Sequence, residues 1–344
     1  MRNEITALAL LGFLAGGLLL TAVPVAAKEP AAAAPADAPP AAVFEEEVFA
    51  TAERPDIPTS NTVATKLPLS LQRTPASVSV VTDELFFEQD ALVLGDALAN
   101  VAGVNVQTGN GTFDFFVVRG LDSVSSSLIL TDGAPEPESS FYQLYNVERA
   151  EVLRGPSAFV YGGGPLGGAI NLVRKQPEGE DAFRVGTRFG SFGAAGGTVD
   201  ANLASADGGL QFRVNGQWRE ADGYRDGRES EVLGLYPVVS WHPSEDTTWT
   251  ASYERLDLDH APDSGLPLLF FVTPEPRLLD VPRTRSYQSP LDRSEQEIDR
   301  AQVDYESRLS ERLLVRNKTY FRAFDWVSRA TTVNGAFPTP TGAL

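Results

Sequence analysis

The sequence predicts a small α/β domain followed by a long-stranded antiparallel β-sheet of the kind that crosses a membrane. Three observations carry that prediction. An apolar leader opens the chain at Ile5–Val23. Helix and short-strand signals are mixed across residues 62–177. From residue 182 onward, long segments alternate apolar and polar side chains, and short and long connections take turns between them.

Composition sets the bounds. At 344 residues, 42% apolar and 22% charged, the chain has room for two folded domains. A net charge of −18 speaks against a nucleic-acid partner, whose phosphates need Lys and Arg. The absence of cysteine excludes disulfides, thiol nucleophiles and a lipid-modified cysteine anchor. His242 and His260 stand apart from any carboxylate cluster with ligand spacing, so no metal site and no cofactor are expected. The leader ends in Pro24-Val25-Ala26-Ala27, whose small residues suit signal peptidase, and residues 1–27 are read as an export signal. A membrane anchor is the competing reading, since about 18 apolar residues can span a bilayer.

Residues 28–43, "KEPAAAAPADAPPAAV", have nothing to bury and read as an extended tether within a linker that reaches residue 61. A β-prone stretch, Glu46–Ala52, is stranded inside it. It is either inert tether or a segment that lends its backbone to another protein by strand addition. In the α/β domain, Leu94, Ala97, Leu98 and Val101 have helical spacing closed by Gly103. Strand candidates follow at 104–107, 115–119, 128–131, 151–153 and 169–174.

Seven longer strands are expected at 182–190, 193–204, 209–221, 229–241, 247–259, 296–309 and 311–330. In the third, Leu210, Phe212, Val214 and Trp218 alternate with Gln211, Arg213, Asn215, Gln217 and Arg219. A soluble sandwich gives such alternation with its apolar side inward; an outer-membrane barrel gives it inside out. Tight connections after the second, fourth and sixth strands, against longer ones after the third and fifth, match the two rims of a barrel. The short first connection breaks that trend. Tyr253, Tyr305, Trp241, Trp249 and Trp326 are candidates for interfacial girdles. Seven strands cannot close around such a domain, because a plugged lumen needs about 22. The barrel is therefore expected to be incomplete in this chain.

At the end of the α/β domain lies "VLRGPSAFVYGGGPLGGAINLVRKQP", with five glycines in Gly162–Gly168. Gly162, Gly164 and Gly167 satisfy G-x-G-x-x-G, but Pro165 interrupts it and a strand follows, which argues against nucleotide binding. The acidic loop "LDLDHAPDSG" lacks regular Ca²⁺-loop spacing and reads as solvated. No acid/base pair or nucleophile dyad emerges, so no enzyme is expected.

The ordered run "SVSVVTDEL", "NVAGVNVQTGNGTFDFFVVRGL", "LTDGAP" and "VERAEVLRGPSAFVYGGGPLGGAINLVRKQP" resembles the plug domain of TonB-dependent outer-membrane receptors, closest to the ferric-siderophore branch. The resemblance implies an α/β plug, residues 62–180, inside a transmembrane antiparallel barrel of 22 strands by resemblance, begun by residues 181–344. It implies a TonB box at Glu47, Val48, Phe49, Ala50 and Thr51, which follows the signal too closely to leave room for a transcriptional signalling domain. Plug–barrel contacts are expected at Arg119, Arg154, Gly155, Gly162, Gly163, Gly164, Gly167 and Gly168, with the glycines against the wall and the arginines on glutamates of later strands. Ligand contacts are expected at Gly109, Asn110, Phe113, Phe141, Tyr142 and Tyr145. The implied partners are a ferric siderophore, TonB with ExbB and ExbD as its energy source, and outer-membrane lipid of a Gram-negative cell. A receptor for another nutrient (cobalamin, saccharide or metal) and a truncated non-functional product are the alternatives.

Overall fold

The computed structural model describes residues 60–332 apart from 100, 127–128, 137–138, 156–157, 162–165 and 270–276. The expected signal, tether and box, and with them Gly162, Gly163 and Gly164, lie outside the described residues. No described helix is long and apolar enough to cross a membrane.

The first part begins with the short hairpin β1 (Ser60–Asn61) and β2 (Leu69–Ser70). It continues through β3 (Ser77–Thr82), helices Asp83–Glu88 and Leu94–Leu98, the meander β4 (Val104–Gly109), β5 (Phe113–Val118) and β6 (Leu121–Asp122), and a short helix Ser123–Ser126. Then come β7 (Ile129–Thr131), β8 (Ala134–Pro135), β9 (Val147–Arg154), helix Ala158–Tyr161 and β10 (Gly168–Arg174). Five strands form one sheet in the order β3-β9-β10-β7-β8, in which only β10 and β7 run parallel. Leu94, Ala97 and Leu98 put their helix face on this sheet, burying it with Phe116, Ile129, Val152 and Ile170. The helix ends at Leu98, and Gly103, at φ +81°, turns the chain into β4. At about 25 cal/mol per Å² of apolar surface, this core is what holds the domain together.

The second part is a seven-stranded antiparallel meander: β11 (Ala182–Phe189), β12 (Ala195–Ala204), β13 (Leu210–Ala221), β14 (Ser230–Ser244), β15 (Thr247–His260), β18 (Arg293–Ser310) and β19 (Leu313–Arg329). The small hairpin β16 (Leu268–Leu269) and β17 (Arg277–Leu278) sits in the long connection between β15 and β18. Each of the seven expected strands is present, and the alternation is inside out. Phe183 and Phe189 are 72% and 82% exposed, whereas Arg213 and Asn215 are 5% and 0% exposed. A sandwich would reverse those values. The buried polar face lies on the first domain, and the apolar face is left uncovered, as on the outer side of a barrel.

Girdle candidates Trp241, Trp249 and Tyr253 stand on the apolar face, with Tyr305 packed on Trp249 at 4.5 Å between ring centroids. Trp326 does not join them. Its indole N–H donates to Ser294 Oγ at 2.9 Å, and its ring meets Phe113 of the first domain. Near a strand end both faces carry aromatics, so residue type alone did not give its side.

The glycine patch also differs from expectation where it is described. A Cβ on Gly168, at φ +145°, would lie 2.0 Å from Leu153 O, and one on Gly167 would lie 2.5 Å from Val118 O. Gly155 N donates to Gly167 O at 2.8 Å. These glycines therefore fit the domain to itself. The close approaches to the wall occur elsewhere: Gly111 lies against the Asp263 backbone, and Gly234 of β14 lies under the Tyr145 ring.

Candidate functional site: the interface between plug and wall

Polar side chains of the wall face the first domain, and one buried wall carboxylate gathers groups from both sides. Glu254 of β15 is buried and accepts from Arg300 Nη1 (2.9 Å), Arg174 Nη1 (3.4 Å), Asn146 Nδ2 (2.9 Å) and Tyr145 Oη (3.2 Å). Arg174, at the end of β10, also donates to Asp132 Oδ2 at 2.7 Å and Gln302 Oε1 at 3.0 Å, with Tyr236 stacked 4.7 Å from its guanidinium carbon. Arg300 of β18 reaches back to Glu136 through Nε (3.0 Å) and Nη2 (2.7 Å). Two arginines thus serve three carboxylates, in both directions across the interface. Such mutual pairing offsets the cost of taking these charges out of water. Arg322 of β19, beside Arg300, donates to Pro135 O and lies 4.0 Å from Glu136.

A cavity of about 20 Å³ lies among Ser140, Gln143, Asn146, Arg174, Glu254 and Arg300, enough for one water. A second set of pairs lies nearer the short turns. There Arg213 donates twice to Asp200 at 2.9 Å, and Lys175 lies 3.3 Å from Asp200 and 3.4 Å from Asp83.

Arg119 and Arg154 occupy another face. Arg154 donates to Ser77 Oγ (3.1 Å), Ser79 Oγ (2.9 Å) and Ala102 O (3.0 Å), all within its own domain. Arg119, at φ +51°, sits beside Gly155. Among the described residues neither makes an ion pair with the seven strands. The pairs that do form, through Arg174 and Arg300, were not singled out from sequence. The signal available was two basic residues at the end of "INLVRK" and a lone Glu on an inward position of β15.

At the opposite end from the short turns, the β4–β5 tip carries Gly109 and Asn110, the latter exposed at φ +51°. Gly111 O accepts from His260 Nε2 at 3.2 Å, and only glycine fits there, since a Cβ would lie 2.3 Å from Asp263 O. Phe113 meets Trp326 edge-on at 6.1 Å, and Phe141 meets His260 at 5.1 Å. His260 therefore ties together two apical segments that the sequence kept apart. Tyr142 is buried in the core beside Phe116, and Tyr145 gives its hydroxyl to Glu254. Both are committed to packing and do not face the apical surface, which corrects their assignment as ligand contacts. Beneath the tip, burial pushes the Asp114 carboxyl up to about 6; the Thr108 hydroxyl pulls it down, and nearby Asp96 adds to the rise. Among the described residues no group of His, Asp and Glu could hold a metal ion.

Residues 70–169 match the model of the TonB-dependent receptor plug domain. The α/β domain is a plug domain of the TonB-dependent receptor kind. The seven strands have the fold of the leading wall of such a receptor's barrel. The probable TonB-dependent siderophore receptor PiuA of Acinetobacter baumannii is 31% identical over 198 residues, 56% of this chain and 26% of that protein. The catecholate siderophore receptor Fiu of Escherichia coli is 30% identical over 202 residues. Its open-form crystal structure superposes with a TM-score of 0.71 at 25% identity, covering 81% of this chain and 43% of that one. The ferripyoverdine receptor of the outer membrane of Pseudomonas aeruginosa shares the fold, with a TM-score of 0.73 at 20% identity over 82% of this chain and 38% of that one. The chain spans about a quarter of the length of the curated relatives it matches. The family is one of transport receptors rather than enzymes.

Proposed function

We propose that this chain forms the plug and leading wall of an outer-membrane receptor that takes up ferric siderophores with energy delivered through TonB. The observation that carries the reading is the inside-out wall clasping a plug, with an apical surface of aromatic and small residues above it. Gly109, Asn110, Phe113 and Phe141, flanked by Trp326 and His260, offer flat apolar faces and a backbone open to close approach. Such surfaces suit a chelate whose iron is already fully coordinated, so the protein supplies packing and hydrogen bonds and no metal ligand. The siderophore relatives support this cargo class.

Glu47–Thr51 would add a strand to TonB in the periplasm. ExbB and ExbD would supply the inner membrane's proton-motive force. The apolar face would sit in the lipid of a Gram-negative outer membrane. Displacing the plug would open the path, and no bond in the cargo is made or broken.

The test is growth and iron uptake in iron-starved cells carrying or lacking the intact gene, across a panel of ferric siderophores. Gene-dependent uptake that stops with a protonophore is expected. Cells that respond to no iron chelate, yet take up cobalamin or a saccharide through the gene, would overturn the assignment.

A further inference from the structure

One buried carboxylate in the plug belongs neither to the apical surface nor to the ion pairs with the wall. Glu151, in the centre of β9, is 0% exposed. It accepts from Thr62 N (3.1 and 3.0 Å), Thr62 Oγ1 (3.0 Å) and Val63 N (2.8 Å). Arg149 Nε at 2.9 Å and Asn171 Nδ2 at 3.5 Å complete its surroundings. The segment it grips is buried at Asn61, Val63 and Ala64, with Thr62 half-buried between them. Val63 packs with Leu130, Leu153 and Ala169, and Tyr161 Oη donates to Val63 O at 2.7 Å. Asn61, also 0% exposed, donates to Thr74 Oγ1 at 2.8 Å.

We propose that Glu151 is the latch that fastens the plug's N-terminal segment and sets when a pull from the periplasm releases it. The proposal rests on the TonB-energised reading above, because, among the described residues, 61–63 are the first to meet the plug's sheet on the way from Glu47–Thr51. A segment held by apolar contacts alone yields gradually as each side chain slides out. Withdrawing Thr62 and Val63 from Glu151 instead removes three donors from a buried charge together, leaving it only Arg149 and Asn171. A buried charge stripped of partners is costly, so the segment opens as a unit. The consequence travels further. Asn171, which touches Glu151, accepts from Gly133 N at 2.9 Å through Oδ1, and the neighbouring Asp132 is the partner of Arg174. The latch is thus one hydrogen-bonded turn away from the pairs that hold plug to wall.

The experiment uses the intact receptor in outer membranes, with Glu151→Gln and the milder Thr62→Val, which removes one hydroxyl donor. Charge-assisted bonds are about twice as strong as neutral ones. Amide hydrogen exchange at residues 62 and 63 should therefore quicken about tenfold in Glu151→Gln and about threefold in Thr62→Val. Binding of a ferric tris-catecholate probe should be unchanged. Uptake of that probe in Glu151→Gln should survive a protonophore concentration that halves wild-type uptake. Unchanged exchange in both variants of a receptor that transports normally overturns the fastening. Faster exchange with an unaltered protonophore dependence overturns the release role. Faster exchange in a receptor that carries no ferric chelate overturns the transport reading and the release role with it, and upholds the fastening alone.

Discussion

Glu254→Ala tests the polar interface most directly. Glu254 accepts four hydrogen bonds, two from arginines and two from the neutral groups of Asn146 and Tyr145. Its loss leaves the two neutral donors without an acceptor, at about 1–3 kcal/mol each when buried. It also removes the counter-charge shared by Arg174 and Arg300, although Asp132 and Glu136 stay in place. Breaking a buried pair outright costs about 3–5 kcal/mol, and the retained partners put this contribution below that range. Water entering beside the existing cavity offsets part of the rest. The balance is about 4 kcal/mol, roughly a thousandfold in the ratio of docked to undocked plug. Hydrogen exchange of β7 and β10 amides in the intact receptor reads that ratio. Glu297→Ala is the control, because Glu297 pairs with Arg255 at 2.7 Å on the outer face with its side chain 60% exposed. Such surface pairs are worth under about 1 kcal/mol. If Glu254→Ala accelerates exchange no more than Glu297→Ala, the buried network does not hold the plug.

Three further outcomes are expected. Gly111→Val, at φ +72° with the Asp263 backbone in its path, should unseat the apical tip and weaken ferric-chelate binding by more than about tenfold in a binding isotherm, with barrel assembly intact. Val239→Arg, on the exposed apolar face of β14 between Phe212 and Ala251, should cost about 2–4 kcal/mol in a lipid-vesicle folding titration if that face meets hydrocarbon near the midplane. Asp114, raised to about 6 from 3.8, favours its protonated form in the folded plug; its contribution is fully present below the usual pKa and lost as pH rises through about 6. Asp114→Asn should therefore flatten the dependence of β4–β5 exchange between pH 4 and 6 and stabilise the hairpin at pH 7 by up to about 3 kcal/mol.

The wall strands were legible because a two-residue period is a local signal: "LQFRVNGQWR" states both its faces within ten residues. The sign of those faces was not local. It became visible only when Arg213 and Asn215 were found buried and Phe183 and Phe189 exposed. Pairings such as Arg174 with Glu254, 80 positions apart, depend on the register of β15 against the plug, which no spacing rule encodes. The glycines show the same limit. Gly167 and Gly168 announce that something approaches closely, and the carbonyls of Val118 and Leu153 decide that it is the plug itself. Trp326 was expected in a girdle, and His260 carried no pattern at all. Their place beside Phe113 and Phe141 follows from where β19 and β15 end.

An interface built this way is not the most stable one available to these strands. Replacing a buried ion-pair cluster by apolar residues of similar volume is often neutral or stabilising by about 1–4 kcal/mol. A plug seated on Leu and Phe would be hard to move, since displacing it would bare apolar surface to water inside the lumen. Arg174, Arg300, Glu136 and Glu254 behave differently on separation. Each exchanges a protein partner for water, and much of the lost Coulomb energy returns as hydration. The plug's own sheet follows the opposite rule, with Ile129, Val152 and Ile170 fully enclosed. The apolar core therefore resists unravelling while the polar surround permits rearrangement against the wall. That division of labour is what a movable stopper requires, and Glu151, a charge set inside the apolar part, is where the two rules meet.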